Sequence, residues 1–113
     1  MRIVIPLLLL LPAALAGCGG PDRHAEAKAL IAADCAACHI VPGVGTATGR
    51  VGPPLTGIGQ RQVIAGFFPN SRPNLVRWIA RSQDMLPGNA MPNSGLDARQ
   101  AGKVADYLYT LDK

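Results

Sequence analysis

The chain has 113 residues and a formal net charge of +4, with 11 lysines and arginines against 7 aspartates and glutamates. The basic residues are scattered, and aromatic residues make up only 4% of the sequence. This composition argues against a nucleic-acid-binding protein, because such proteins present a basic patch or aromatic platforms for base stacking. The length is that of one small domain.

Residues 1–17 have the pattern of a bacterial export signal. A basic start precedes an apolar run over residues 3–15, which is too short for a comfortable transmembrane span and ends in small residues. Residues 15–18, Leu-Ala-Gly-Cys, resemble the lipobox of bacterial lipoproteins. The resemblance implies cleavage before Cys18 and lipid attachment to its thiol. The alternative is an ordinary signal peptide cut slightly earlier, which would leave Cys18 as a free thiol.

A first helix is predicted from Asp22, as its capping residue, to about His39. Apolar residues recur through this segment at helical spacing. They are Ala27, Leu30, Ile31, Cys35 and Cys38.

The central motif is Cys-Ala-Ala-Cys-His at residues 35–39. This is the attachment signature of a c-type haem. On a helix, Cys35 and Cys38 share a face, so both sulfurs can reach the porphyrin vinyl groups while His39 binds the iron. A thioredoxin-like redox pair would need a βαβ context, and a zinc site would need a second Cys/His cluster. The sequence shows neither, so we expect one haem c, covalently bound through both cysteines.

The middle of the chain predicts a loop rather than a regular element. Nine prolines and glycines interrupt residues 41–59. A short helical turn is predicted over residues 61–65, and no strand is predicted anywhere.

Two more helices are predicted in the second half. One opens at Pro73 and ends before Pro87, with an apolar face of Leu75, Val76, Ile79 and Ala80. The last helix begins after Asp97, which together with Gln100 predicts a capping box. Its buried stripe is Ala101, Val104, Ala105, Leu108 and Leu111.

A second axial ligand could come from Met85, Met91 or His24. His24 precedes the haem motif on the same predicted helix, so it cannot reach the opposite face of the ring and is expected to be a solvated surface residue. Met85 falls near a helix end, where core packing is usual. Met91 lies in a loop bounded by proline and glycine, with little else to hold it. We favour Met91, because a thioether suits haem iron, over a loop methionine that fills a core gap.

The ordered motifs over residues 24–112 resemble class I cytochrome c. They are the haem motif at residues 35–39, Gly-Pro-Pro-Leu at 52–55, the helical segment 74–79, the methionine segment 88–92 and the final-helix segment 105–108. The resemblance implies an all-α fold whose N- and C-terminal helices cross around a covalently bound haem. At that crossing, Ala27 and Ile31 would meet Val104 and Tyr107. It also divides the chain into a signal peptide (1–17), a lipidated cysteine with a short linker (18–23) and a cytochrome c domain (24–113).

The resemblance implies further roles at the site. The Pro53 carbonyl should accept the Nδ1 hydrogen of His39. Leu55 should pack on the ring, and Trp78 should lie near the haem on the Met91 side. Arg61 should pair with a haem propionate, unless it is a solvated surface arginine.

These features together predict an electron carrier and not an enzyme. An iron bound by both His39 and Met91 has no vacant position, so one-electron exchange is its accessible chemistry. We expect a lipid anchor on the periplasmic side of a bacterial membrane and redox partners in a respiratory complex, such as a terminal oxidase. We expect no nucleic-acid partner and no small-molecule substrate. The alternatives are a cytochrome subunit of a periplasmic dehydrogenase, a haem sensor or peroxidase with a labile methionine, and a lipoprotein without haem.

Overall fold

The computed structural model describes Met1 and residues 20–113, so the predicted signal peptide and the lipidation of Cys18 lie outside the described residues. Three helices dominate the described part: α1 (Ala25–Asp34), α2 (Arg72–Met85) and α3 (Ala98–Leu108). The predicted all-α class is confirmed. None of the described helices has the length and apolar character needed to cross a bilayer.

Helices α1 and α3 pack against each other and form the frame of the domain. Ile31 is 0% exposed and Val104 is 1% exposed, and Ala27 and Tyr107 are buried in the same cluster. Burial of these apolar side chains holds the crossing together. The salt bridge from Glu26 to Arg99 across it is exposed and adds little.

The first helix is shorter than the sequence predicts. It begins at Ala25, and Asp22 accepts a hydrogen bond from the His24 N–H (2.9 Å) in the turn before it. It ends at Asp34, where the Ile31 carbonyl accepts from two successive N–H groups and closes the helix in a wider turn. The prediction that the helix continues to residue 39 is therefore wrong, and the haem motif lies in the turns that follow.

A small antiparallel hairpin replaces the helical turn predicted over residues 61–65. A 3₁₀ helix (Ile58–Gln60) precedes it, and strands β1 (Val63–Ile64) and β2 (Phe68–Pro69) pair with each other. Ala65 and Gly66, at the centre of the connecting turn, have φ of 52° and 75°. Two consecutive left-handed residues suit the twist of a hairpin. Strands of two residues are too short to show an alternating pattern, so no signal for them is visible in the sequence.

The starts of α2 and α3 follow from their capping residues. The Ser71 hydroxyl accepts from the Asn74 N–H (3.3 Å), which makes Pro73 the second helical residue. The predicted capping box of α3 is confirmed, because Asp97 accepts from the Gln100 N–H (2.7 Å) and the Gln100 side chain accepts from the Asp97 N–H (3.1 Å). The predicted stripe on α3 is buried, except that Leu111 lies beyond the helix and is half-buried.

Removing the α3 cap should destabilise the domain without touching the haem motif. We expect Asp97→Ala to lower the free energy of unfolding by about 1 kcal/mol, because the Gln100 N–H loses its partner. Urea unfolding followed by circular dichroism measures this. Asp112→Ala removes an exposed carboxylate outside every helix and should change little, so equal losses in the two variants would contradict the assignment.

Candidate functional site

The haem motif forms one compact turn, which we call the motif turn (residues 35–39). The Cys35 carbonyl accepts from the N–H groups of Cys38 (3.1 Å) and His39 (2.9 Å). The second of these bonds has α-helical spacing, so the turn keeps the two cysteines on a helix-like path although α1 has ended. Both thiols are unpaired and half-buried.

The following loop folds back onto the motif turn at two glycines. A Cβ atom at Gly49 would lie 2.3 Å from the backbone carbon of Ala37, and one at Gly52 would lie 2.4 Å from Cε1 of His39. Neither distance is possible for a side-chain carbon. The Gly52 N–H also donates to the Cys38 carbonyl (2.7 Å), so glycine is required for the loop to reach the turn and the imidazole.

This close approach sets the orientation of His39. Its Nδ1 lies 2.7 Å from the Pro53 carbonyl oxygen, which is the contact expected between them. A carbonyl can only accept, so the hydrogen bond requires the ring proton on Nδ1. The lone pair of Nε2 is then free to bind a metal, and the hydrogen bond makes the imidazole a stronger donor.

The environment of Cys35 does not suit a redox-active dithiol. Burial, together with smaller contributions from charge repulsion by Asp34 and Cys38, raises the pKa of the Cys35 thiol to about 11. Catalytic Cys-x-x-Cys pairs instead lower the pKa of a cysteine, because the thiolate is the reactive species. This electrostatic environment disfavours the thioredoxin-like alternative.

Several half-buried apolar side chains pack against the same core as Cys35. Leu55 is half-buried against the core, and its N–H donates to the Ile40 carbonyl (2.8 Å), directly after the motif. Trp78 of α2 is half-buried too, and its ring centroid lies 6.1 Å from that of Phe68. These side chains provide the kind of surface on which a porphyrin plate packs.

Arg61 is exposed, but backbone groups engage its guanidinium. Its Nη2 donates to the carbonyls of Pro54 (2.6 Å) and Thr56 (3.2 Å). The side chain therefore stabilises the backbone conformation of residues 54–56. Pairing of Arg61 with a propionate stays a prediction.

Met91 lies half-buried in the methionine loop (residues 86–94). Its N–H donates to Oδ1 of Asn89 (2.7 Å), and its carbonyl accepts from the Ser82 hydroxyl (2.5 Å) and from Nε2 of Gln83 (2.8 Å). The expectation that little holds this loop is wrong. Both backbone polar groups of Met91 are satisfied by side chains.

The other two candidate ligands occupy different surroundings. The His24 ring is half-buried, with its centroid 5.4 Å from that of Tyr107 on α3, so it is not the solvated residue expected. Met85 is the last residue of α2 and is half-buried. Within residues 20–113, no hydrogen bond links the motif turn to the methionine loop.

Sequence reasoning missed the residues that hold Met91. Ser82 is 0% exposed and lies three positions after the buried Ile79, on the face of α2 where an apolar residue would continue the stripe. A polar residue at such a position was the available signal. Gln83 and Asn89 carried no comparable signal, because polar residues are ordinary at a helix end and in a loop.

A c-type haem fits these residues. Two unpaired thiols on one turn, an imidazole with Nε2 free, and half-buried apolar side chains on the same core are the groups that covalent attachment, iron ligation and ring packing require. Cys35 and Cys38 would hold the ring, and His39 would bind the iron.

Comparisons with known proteins agree with this chemistry. The family model for cytochrome c matches residues 24–112. Cytochrome c oxidase subunit 2 of Alkalihalophilus pseudofirmus is 47% identical over 58 residues, which cover 51% of this chain and 16% of that protein. Cytochrome c oxidase subunit 2 of Bacillus sp. (strain PS3) is 30% identical over 90 residues, which cover 76% of this chain and 25% of that protein.

The matched region amounts to a quarter or less of each of these two curated relatives. The family match, in contrast, extends over most of this chain and includes the motif turn, Pro53, Trp78 and Met91. The chain belongs to the cytochrome c family, and its cofactor is a covalently attached c-type haem.

Proposed function

We propose that this chain is an electron-transfer protein and not an enzyme, in which His39 and Met91 would bind the haem iron. The observation that carries the proposal is the hydrogen bond from His39 Nδ1 to the Pro53 carbonyl, which leaves Nε2 free for iron. When bound, a haem with two protein ligands supplies one-electron exchange between ferric and ferrous iron.

The backbone around both proposed ligands supports a carrier. Gly52 and Pro53 hold the imidazole, while Ser82 and Gln83 hold the carbonyl of Met91. Fixed ligands leave little to rearrange when the iron changes oxidation state. A coordination sphere closed by both residues would also exclude oxygen and peroxide, and a thioether ligand would favour the reduced state.

The partner that we propose is a membrane-bound respiratory complex, and the complex that we favour is a terminal oxidase. Support comes from two relatives that are named as oxidase subunits. A lipid on Cys18 would keep the domain beside a bacterial membrane on its periplasmic side, because the linker before His24 spans only ~15–20 Å when extended. The second candidate is the cytochrome subunit of a periplasmic dehydrogenase, which the same carrier chemistry would serve.

Haem attachment should depend on the two motif cysteines. We expect the double variant Cys35→Ala, Cys38→Ala to lose the c-type band in an alkaline pyridine spectrum and to lose cooperative unfolding, because a small domain without its covalent plate buries too little apolar surface. Cys18→Ala is the matched control and should keep the band. A double variant that unfolds with wild-type cooperativity would contradict this role for the haem.

Ligation by Met91 is tested by paired, nearly isosteric substitutions. We expect Met91→Leu to abolish the weak long-wavelength sulfur-to-iron band of the ferric protein, to lower the reduction potential and to admit carbon monoxide rapidly to the ferrous form at neutral pH. Met85→Leu is the control and should behave like the wild type. The opposite pattern would make Met85 the ligand, and rapid carbon monoxide binding by the wild type would favour a sensor or peroxidase.

The proposed partner is tested by reoxidation. We expect the reduced, full-length protein in vesicles to be reoxidised by a membrane preparation that contains a terminal oxidase. Cys18→Ala should be reoxidised more slowly, because it loses the raised local concentration that anchoring provides. Failure with every oxidase preparation, together with reduction by a purified dehydrogenase and its substrate, would favour the second candidate.

A further inference from the structure

Helix α2 is broken just before the methionine loop. Arg81 has φ −143° and ψ 58°, which are not helical values. Two backbone groups near the break form hydrogen bonds with residues outside the helix, although a continuous helix would pair them internally. The Gln83 N–H donates to Oδ1 of Asn93 (3.0 Å), and the Ala80 carbonyl accepts from the Ser94 N–H (3.3 Å). The break thus allows Asn93 and Ser94, which follow Met91, to form hydrogen bonds with the backbone of α2.

Gln83 lies two residues after this break, and its side chain hydrogen-bonds along the methionine loop. Its Oε1 accepts from the Gly88 N–H (3.0 Å). Its Nε2 donates to the carbonyls of Asn89 (2.8 Å) and Met91 (2.8 Å). One amide therefore uses its acceptor and both donors on three residues of the loop that leads to the proposed ligand.

The backbone of Met91 is fixed by this set of contacts. Its carbonyl accepts from Gln83 and Ser82, and its N–H donates to the Asn89 side chain. Gln83 also donates to the Asn89 carbonyl, so it holds that residue in place too. Within the described residues, every buried polar side-chain atom has a hydrogen-bond partner. A complete network of this kind specifies one conformation, because a lost partner leaves a desolvated group unpaired.

We propose that Gln83 is the positioning residue for Met91, and that it sets how readily the methionine sulfur leaves the iron. This inference rests on the proposed His39 and Met91 ligation. Gln83 acts through the backbone of the loop and supplies no ligand itself. Weakening its two donated bonds frees the Met91 segment to move, and the sixth coordination position then opens more often to small molecules.

The decisive variant is Gln83→Glu, studied as the full-length haem protein. It keeps the side-chain length and an acceptor for the Gly88 N–H, but at neutral pH it has no donor for the Asn89 and Met91 carbonyls. We expect carbon monoxide to bind the ferrous form about tenfold faster, and imidazole to bind the ferric form about tenfold more tightly. A tenfold change corresponds to about 1.4 kcal/mol, which lies within the range expected for the loss of one or two hydrogen bonds. The sulfur-to-iron band should weaken in parallel.

The matched control is Asn70→Asp. Nδ2 of Asn70 donates to the carbonyls of Ile58 (3.0 Å) and Arg61 (2.8 Å), so this substitution also removes two amide-to-carbonyl bonds, but from the loop before α2. It should lower the free energy of unfolding while leaving the sulfur-to-iron band and the binding of both probes as in the wild type.

Ser82→Ala removes the other donor to the Met91 carbonyl. It should change carbon monoxide and imidazole binding in the same direction as Gln83→Glu.

The outcomes separate this inference from the proposed function. A wild-type protein without the sulfur-to-iron band would overturn both. A wild type with the band, and a Gln83→Glu variant that binds both probes as the wild type does, would overturn the role of Gln83 alone. Equal effects of Gln83→Glu and Asn70→Asp would also overturn it, since they would indicate general loosening. If Gln83→Glu does not retain haem, Gln83→Asn, whose amide is one methylene shorter, provides the same comparison.

Discussion

The haem site depends on the close approach of residues 49–53 to the motif turn. Gly49 and Gly52 lie against backbone and imidazole atoms at distances that exclude any side chain. That approach brings the Pro53 carbonyl to His39 and so fixes the tautomer that leaves Nε2 free. The composition of this loop, rich in glycine and proline, is thus a geometric requirement of the site rather than a sign of flexibility.

The frame around this contact is simple. Helices α1 and α3 bury Ile31 and Val104 between them, and α2, which carries Trp78 and leads into the methionine loop, packs on α3. The salt bridges of Arg72 with Asp106 and of Arg81 with Asp84 are exposed at both partners and contribute little. The described part of the protein is therefore held by apolar burial and by a few backbone groups that side chains satisfy.

The sequence predicts the parts of this structure that depend on local rules. The Asp97 capping box, the buried stripe of α3 and the end of α2 before Pro87 follow from residues a few positions apart. The end of α1 at Asp34 comes where residues 49–52 bind the turns that follow it, and the break at Arg81 comes where Asn93 and Ser94 bind α2. The turn at Ala65 joins strands of two residues, which are too short to show a period in the sequence. Spacing and residue type identified the motif turn and Met91 as candidates, but they could not show what holds Met91, because a glutamine near a helix end is ordinary in sequence and distinctive only by its partners.

The two proposed ligands differ in the groups that hold them: a main-chain carbonyl orients His39, whereas side chains hold the backbone of Met91. His39 is oriented by a main-chain carbonyl, which substitution of Pro53 by another residue would not by itself remove. Met91 is held by the side chains of Ser82, Gln83 and Asn89, each of which a single substitution can change. The methionine side of the iron can therefore be tuned residue by residue while the attachment side stays intact. In the proposed function, the same fold can then range from a closed carrier to a more open haem protein through changes confined to the end of α2 and the loop it holds.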